Sequence, residues 1–521
     1  MISVGRPALA LLIALGPWSA LADPLTRIEP AEAYAQIARS GELRELQIDG
    51  DLDVAKMKPP AGATRILLQG VAIEGALHSS AGGPAAALMI EQSTLRDIDL
   101  RGTRWSAPFA IENSVVKNRA WFDDTQFDAP FTLHATTFGG QTLFRRARFN
   151  APVEITASTF APEAPVRASV NFSDARFAAP ARFDRSEFRT GVRFDTARFD
   201  TDATFLRMSG RASLRNVIFA GDAEFRFCRL DEADFGDEEQ LSVFMRLADF
   251  RGCRLGSLRL DYADMRGDVL LVNVSVAPGD LTLRQASLRG GRSDFSGLKV
   301  AGRLDLSGAQ IANLHLQWFD IGPAILRSAP GSDVLRPLQR RLEELKKDDE
   351  AREVSALLAD RVIDERLAAA SPMDQGFLWG ERLVWGGATG YGTRLGRIVA
   401  VALGCWLVLA LPLVFAPGIR IGSLREATEK VPPLHVPVPP DSVQPRPTSA
   451  AARMLNGMAY AFALMFAIPA VHLRPTKPLP AGFGGYLLFL RGVGLVLLAL
   501  MALTLAKVSP VIQAILGKIV A

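Results

Sequence analysis

The chain has 521 residues, of which 49% are hydrophobic, and a formal net charge of +4 at pH 7; its mean hydropathy is +0.15. So mild a charge over this length excludes a strongly acidic nucleic-acid mimic and selects no anionic partner by itself. Three cysteines exclude a disulfide framework. The apolar excess lies near the N-terminus and after position 397, which leaves a soluble-type middle.

Residues 1–22 read as a secretory signal. Arg6 gives a positive start, Ala8 to Leu15 a short apolar run, and Ser19-Ala20-Leu21-Ala22 a small-x-small cleavage site. The run is too short to span a bilayer comfortably; an uncleaved anchor is the alternative. Residues 23–60, with a helical pattern around Ala31–Arg39, are expected to cap the exposed N-terminal edge of a repeat region.

That repeat fills 61–320. Large residues fall at Phe122, Phe127, Leu133, Phe138, Phe144, Phe149, Ile155 and Phe160, in steps of five and six. After a slip near Val166 the rhythm resumes at Phe172, Phe177, Phe183, Phe188, Phe194, Phe199 and Phe205. An eleven-residue period also suits a right-handed coiled coil. However, a step of five turns an α-helix by about 140°, and Pro130, Pro152, Pro162, Pro165 and Pro180 interrupt the segment. A β-ladder fits instead. Ala120, Ala147, Ala175, Ala181, Ala197 and Ala203 each stand two places before a large residue, and positions two apart on a strand face the same side. Small and large residues therefore point inward, with polar residues outward. Cys228 and Cys253 occupy the small slot, a structural role.

Here the sequence resembles the pentapeptide-repeat family, on Ala175-Arg176-Phe177, Ala248-Asp249-Phe250 and Cys253-Arg254-Leu255. The resemblance implies a right-handed quadrilateral β-helix; the six-residue steps depart from its strict five. At about 21 residues per coil the span gives roughly 12 coils and a rod on the order of 55 Å long. The structural ladder is expected to be Phe149, Phe172, Phe177, Phe183, Phe188, Phe194, Phe199 and Phe205.

Over 330–372 the spacing of Leu335, Leu338, Leu342 and Leu345, then Val354, Leu357, Leu358 and Val362, predicts amphipathic helices. Residues 373–521 read as a transmembrane region, with spans at about 398–416 and 484–506 and a third apolar run, 454–473, that either spans or is re-entrant. The half from about 340 resembles bacterial membrane proteins that join such repeats to a two-span, ion-channel-like module. The resemblance rests on Glu350-Ala351-Arg352-Glu353-Val354, Gly390-Tyr391-Gly392-Thr393-Arg394 and Ile468-Pro469-Ala470-Val471-His472-Leu473.

Thr389-Gly390-Tyr391-Gly392 has the look of a potassium filter. A filter needs a span and a pore helix before it, and nothing upstream can span, so we read a glycine-rich turn entering the membrane. Arg491, inside an apolar run, is a functional candidate set against simple snorkelling. His472 and Pro469 are the other membrane candidates, His472 set against a plain interfacial role. His78, His134, His315 and His435 show no metal-ligand spacing. We expect no catalytic residues, no metal and no cofactor. Arg148, Arg176, Arg182, Arg193 and Arg198 suggest a basic stripe, but Asp184, Asp195 and Asp200 stand close enough in sequence to neutralise it.

The sequence is thus read as a mainly β solenoid followed by amphipathic helices and a C-terminal α-helical membrane region. The expected function is a non-enzymatic scaffold or protein-binding surface in the bacterial inner membrane, with the β-helix periplasmic, or cytoplasmic if the signal is not used. Expected partners are the lipid bilayer and a protein or second copy, with no nucleic acid and the ion, if any, unidentified. One alternative is a pore with a β-helical regulatory domain. Another is a periplasmic glycan-active enzyme, which would need two facing carboxylates.

Overall fold

The structure, a computed structural model, describes residues 25–162, 170–236, 238–239, 241–388, 390–391, 395–415, 450–466, 468 and 483–508. The expected signal at 1–22 lies outside the described residues. The chain divides into two units, one ending at Pro337 and one starting at Leu338.

The first unit is a parallel β-solenoid with four faces. Face 1 is a 13-stranded sheet, face 4 a 10-stranded sheet, and faces 2 and 3 merge into one 20-stranded sheet. One coil shows the plan. Phe131–His134 lies on face 1, Thr137–Phe138 on face 2, Thr142–Leu143 on face 3 and Arg148–Phe149 on face 4. A coil is commonly 22 residues, as from Phe127 to its partner Phe149. It lengthens between Phe149 and Phe177 and shortens to 20 between Phe199 and Phe219.

The alternation of five and six residues has a local cause. At the corner between faces 3 and 4, Ala147 N–H donates to the Phe144 carbonyl at 3.1 Å, and Arg146 between them has φ 57°. A positive φ at the third residue is what a type II turn requires. Asp124, Asp174, Thr196 and Asn216 repeat it coil after coil. The corner between faces 1 and 2 is built the same way, at Ala157, Arg185, Arg207 and Phe227. The turn makes the five-residue step; the six-residue steps fall at the other two corners, as from Phe127 on face 4 to Leu133 on face 1 and from Phe138 on face 2 to Phe144 beside face 3.

The eight ladder phenylalanines are all buried. They form stacks along the axis: Phe122, Phe144, Phe172 and Phe194 follow one another at 4.6, 4.5 and 5.0 Å between ring centroids. That spacing is the strand separation itself. Within a coil the rings meet edge to face, as Phe183 and Phe194 do at 80°, the preferred geometry for aromatic pairs. Burying each ring contributes roughly 2–3 kcal/mol.

Strands of the first coils already lie inside 23–60: Thr26–Ile28 pairs with Leu46–Ile48, and Glu42–Arg44 pairs with Leu67–Gln69. Helix α1 (Pro30–Ser40) starts on a proline, ends on Gly41 in the left-handed conformation, and buries Ala33 and Ile37. At the other end α2 (Trp318–Arg327) buries Trp318, Ile321, Ala324 and Ile325. Its Arg327 donates to the Val300 and Gly302 carbonyls at 2.9 and 2.8 Å, so the open edge of the last coil is covered. Helix α3 (Ser332–Glu344) comes next, with Leu335, Leu338 and Leu342 buried.

The second unit holds α4 (Asp348–Ala369), α5 (Pro372–Glu381), a π-helical segment Arg382–Ala388, α6 (Leu395–Phe415), α7 (Ala450–Met465) and α8 (Phe483–Val508). Two helices are long and apolar enough to cross a membrane, over Gly396–Phe415 and Phe483–Leu505. Helix α7 has 16 residues, about 24 Å, short of a hydrocarbon core of about 30 Å.

Contacts fix the directions of these three helices. Gly457 of α7 lies against Leu413 and Val414, near the end of α6. Met465, the last residue of α7, lies against α8 so closely that a Cβ on Gly494 would sit 1.9 Å from its carbonyl oxygen. Tyr486 near the start of α8 donates to the Leu409 carbonyl, whereas Leu497 and Leu500 meet Val401 around a shared groove. Both α7 and α8 therefore run opposite to α6, and α7 stops partway along α8. Of the run 454–473, residues 467 and 469–473 lie outside the described residues.

Candidate functional site

The outer wall of the solenoid is a lattice of arginines and aspartates. Asp200 accepts from both Arg176 and Arg198, at 2.7 and 2.5 Å. Asp184 lies 3.4 Å from Arg182, and Asp195 3.3 Å from Arg193. The basic stripe considered from sequence is thus neutralised at these four positions; Arg148 has no ion-pair partner among the described residues. Other pairs cross between coils. Asp261 is buried and receives Arg284 through Nε and a terminal nitrogen at 3.0 and 2.8 Å, and Arg259 at 3.1 Å. Burial alone would raise its carboxyl; the hydrogen bonds, led by Arg284, outweigh burial and hold it below the usual carboxylate range. Asp123 holds Arg145 of the next coil at 2.6 Å, whereas Asp249 holds Arg251 of its own coil at 2.6 Å. Trp121 lies between the guanidinium groups of Arg101 and Arg119, at 4.3 and 4.5 Å from its ring, and these are neutralised by Asp99 and Asp97.

One region gathers several unpaired arginines together. At the corner of faces 1 and 2, and on face 2 itself, Arg185, Arg207, Arg229 and Arg254 project from four successive coils. All four are exposed, and none has an ion-pair partner among the described residues. Arg229 and Arg254 are register partners on adjacent strands. Beside them Phe227 is 56% exposed at φ 60°, a rare conformation for a bulky residue. Its ring lies over Gly252 of the next coil.

Beyond face 2, at its corner with face 3, the wall carries a cleft. Where the coil shortens, strands Glu187–Arg193, Ser209–Ser213 and Arg229–Asp234 run continuously from face 2 to face 3. The register slips at both pairings. Gly210, at φ 120°, permits the cut corner, because a Cβ there would sit 2.0 Å from the Phe188 carbonyl oxygen. The result is a dent of about 370 Å³ lined by Gly191, Arg193, Arg211, Ser213, Arg215 and Glu232 among others. Arg211 has no ion-pair partner among the described residues.

In the second unit, Gly390 and Tyr391 form a turn before α6. Tyr391 is buried and its hydroxyl donates to Asp360 of α4. Burial first, then this carboxylate, pushes the phenol well up. One helical turn on, Asp364 holds Arg382 at 2.7 Å. The filter-like tetrad thus places its tyrosine as a clasp on α4. Arg491 is exposed on the face of α8 that carries Leu488 and Leu495. Pro469 and His472 lie outside the described residues. An apolar groove of about 650 Å³ is lined by Leu383, Val401, Phe489, Val493, Leu497 and Leu500 among others. His134 bonds Thr156 at 2.9 Å. Among the described residues there is no group of three or more His, Cys, Asp or Glu placed to hold a metal ion.

Sequence reasoning missed Arg185, Arg207, Phe227, Arg229 and Arg254 as a group. One signal was available. Phe225 and Leu230 keep the five-residue rhythm, so Phe227 between them had to stand outside the core.

No family model, curated protein or solved structure matches the chain. The fold itself defines the class: a parallel β-solenoid with four faces, followed by helices of which two are apolar and long enough to cross a membrane.

Proposed function

We propose that the chain is a non-enzymatic, membrane-anchored scaffold that presents its solenoid as a protein-binding surface. The observation that carries this reading is the contrast on the outer wall: a lattice of neutralised charge broken, along face 2 and its two corners, by unpaired arginines, an exposed phenylalanine and a cleft. Surfaces of that kind mark interaction sites. The close carboxylates, such as Asp200 and Asp261, are engaged by arginines, which suits a structural role better than acid–base work. The repeat supports placing the solenoid among pentapeptide-repeat β-helices of bacterial membrane proteins. A used N-terminal signal would put it in the periplasm. The test is site-specific photo-crosslinking of the full chain in native membranes. Adducts at solenoid positions are expected; their absence across all four faces would sink the scaffold reading.

A second reading is a pore. It is favoured by α7, which enters beside α6 and stops level with Gly494 while α6 and α8 are long enough to cross. A partly inserted helix between two spans is a channel-like arrangement. Ion flux through liposomes carrying the full chain tests it, and inert liposomes would remove it.

A further inference from the structure

Over most of the wall, each arginine that the ladder brings forward meets a carboxylate. From the corner of faces 1 and 2 onto face 2 itself, at Arg185, Arg207, Arg229 and Arg254, the rule lapses once in each of four successive coils. Arg229 and Arg254 lie directly opposite each other in register, an arrangement that costs stability when both are charged. Phe227 adds a second cost, a bulky side chain at φ 60° with its ring turned to solvent. The dent lies at the far side of face 2, at its corner with face 3, with Arg211 on its lining.

We propose that this face binds an extended acidic peptide segment of a partner protein, with Phe227 as its apolar anchor. The proposal rests on the scaffold reading. Its geometry fits a strand-like ligand. Coils repeat every 4.8 Å or so, and alternate side chains of an extended peptide repeat about every 6.6 Å, so a run of four to five residues spans roughly the 14 Å from Arg185 to Arg254. Carboxylates on such a segment would take the guanidinium groups that the solenoid leaves open.

The charges around the patch favour a peptide over a flat anionic membrane surface. Glu187 on the same face is taken up by Arg189 at 3.0 Å. Asp231 and Glu232 stand exposed beyond Arg229, and Asp234 is held by Arg215 at 2.7 Å. These carboxylates would repel a continuous negative surface laid across the whole face. A discrete peptide can place its own acids on the arginines alone.

The test uses the full chain in nanodiscs of neutral lipid and a short fluorescein-labelled peptide rich in glutamate with one central phenylalanine. Fluorescence anisotropy is expected to show saturable binding that weakens with added salt. The double variant Arg229→Glu/Arg254→Glu is expected to weaken it by about tenfold or more, and Phe227→Ala by about threefold or more. Arg148→Glu, on face 4, is expected to leave it unchanged. Absent binding by the parent protein, or equal binding by the double variant, overturns the proposal. So does binding to phosphatidylglycerol vesicles through the same arginines with no binding of the peptide, which would assign the patch to a membrane surface. Photo-crosslinkers on all four faces separate the two levels of the reading. Adducts confined to other faces reject the acidic-peptide site and leave the scaffold standing, whereas no adduct on any face counts against both.

Discussion

The rings of Phe177 and Phe199 lie 4.5 Å apart and within 2° of parallel, one coil above the other. Phe149 covers the opposite side of Phe177 at 5.0 Å. Phe177 is therefore packed from above, from below and, through Phe183 at 83°, from the side. Removing it leaves a void that stacked backbones cannot close, because their spacing is fixed by the strand hydrogen bonds. Phe177→Ala is expected to cost about 3–5 kcal/mol, read as a fall in the denaturation midpoint of the solenoid's circular dichroism. Phe250→Ala, with a stacked ring on one side only, at Phe225, is expected to cost less.

Acid should loosen the wall before it touches the core. Asp99 and Asp124 are held below the usual carboxylate range chiefly by Arg101 and Arg146. Asp128 is held there by Gln126 and Asn150 first, and Asp261 by Arg284 against its burial. In each the folded value lies below the unfolded one. The stabilisation is therefore complete above about pH 4 and drains away as pH falls through the lower folded values. The midpoint of thermal unfolding is expected to be flat from neutral pH to about pH 5 and to fall below about pH 4. Asp261→Ala should remove part of that acid dependence. It is also expected to cost about 2 kcal/mol at neutral pH, less than a fully buried pair, because Arg259 and Arg284 keep about 40% exposure of their side chains.

Cys228 and Cys253 stack in the small inward slot of adjacent coils, and each thiol points to a carbonyl, Phe205 and Phe225 respectively, at 2.7 Å. Burial, and next the neighbouring Cys253, pushes the Cys228 thiol up, so the reactive thiolate is suppressed. Both are expected to resist maleimide in the folded protein and to react on unfolding, which mass spectrometry of labelled peptides will show. Across the register the same slot holds Ser186, Met208 and Val274 in nearby coils, so it takes side chains of different size, and Cys228→Ser and Cys228→Val are each expected to cost less than about 1.5 kcal/mol.

The interior was legible because it is local. Ala175 and Phe177 stand two apart, and so do Ala181 and Phe183; strand geometry alone turns each pair inward. The arginine–aspartate pairs two residues apart, such as Arg198 and Asp200, were legible for the same reason. The pairs across coils were not. Arg145 reaches Asp123 over 22 residues and Arg284 reaches Asp261 over 23, and which acid meets which arginine depends on coil lengths that vary along the chain. The unpaired face 2 could be found only after those lengths were known. In the membrane unit, apolar runs gave the helices but not their directions. Two glycines, Gly457 and Gly494, reveal those directions, because their missing side chains let α7 approach its neighbours.

The helix directions set a topology. Helices α6 and α8 run in opposite directions and are long enough to cross, while α7 ends at the level of Gly494. Asp374 before α6 and Val508 at the end of α8 should therefore face one side of the membrane, and Lys430 and Lys477 the other. If 454–473 crossed fully, Lys477 and Val508 would instead exchange sides relative to Asp374. Single cysteines at these four positions, in a chain freed of Cys228, Cys253 and Cys405, can be probed with an impermeant maleimide in sealed vesicles. Equal accessibility of Asp374→Cys and Val508→Cys, opposite to Lys430→Cys and Lys477→Cys, is the expected outcome. Labelling of Lys477→Cys together with Asp374→Cys would reject the partly inserted α7. Gly494→Leu adds an independent check, because a side chain there has no room against the Met465 carbonyl: it is expected to destabilise the three-helix packing by about 2 kcal/mol or more and to lower the thermal midpoint of the membrane unit.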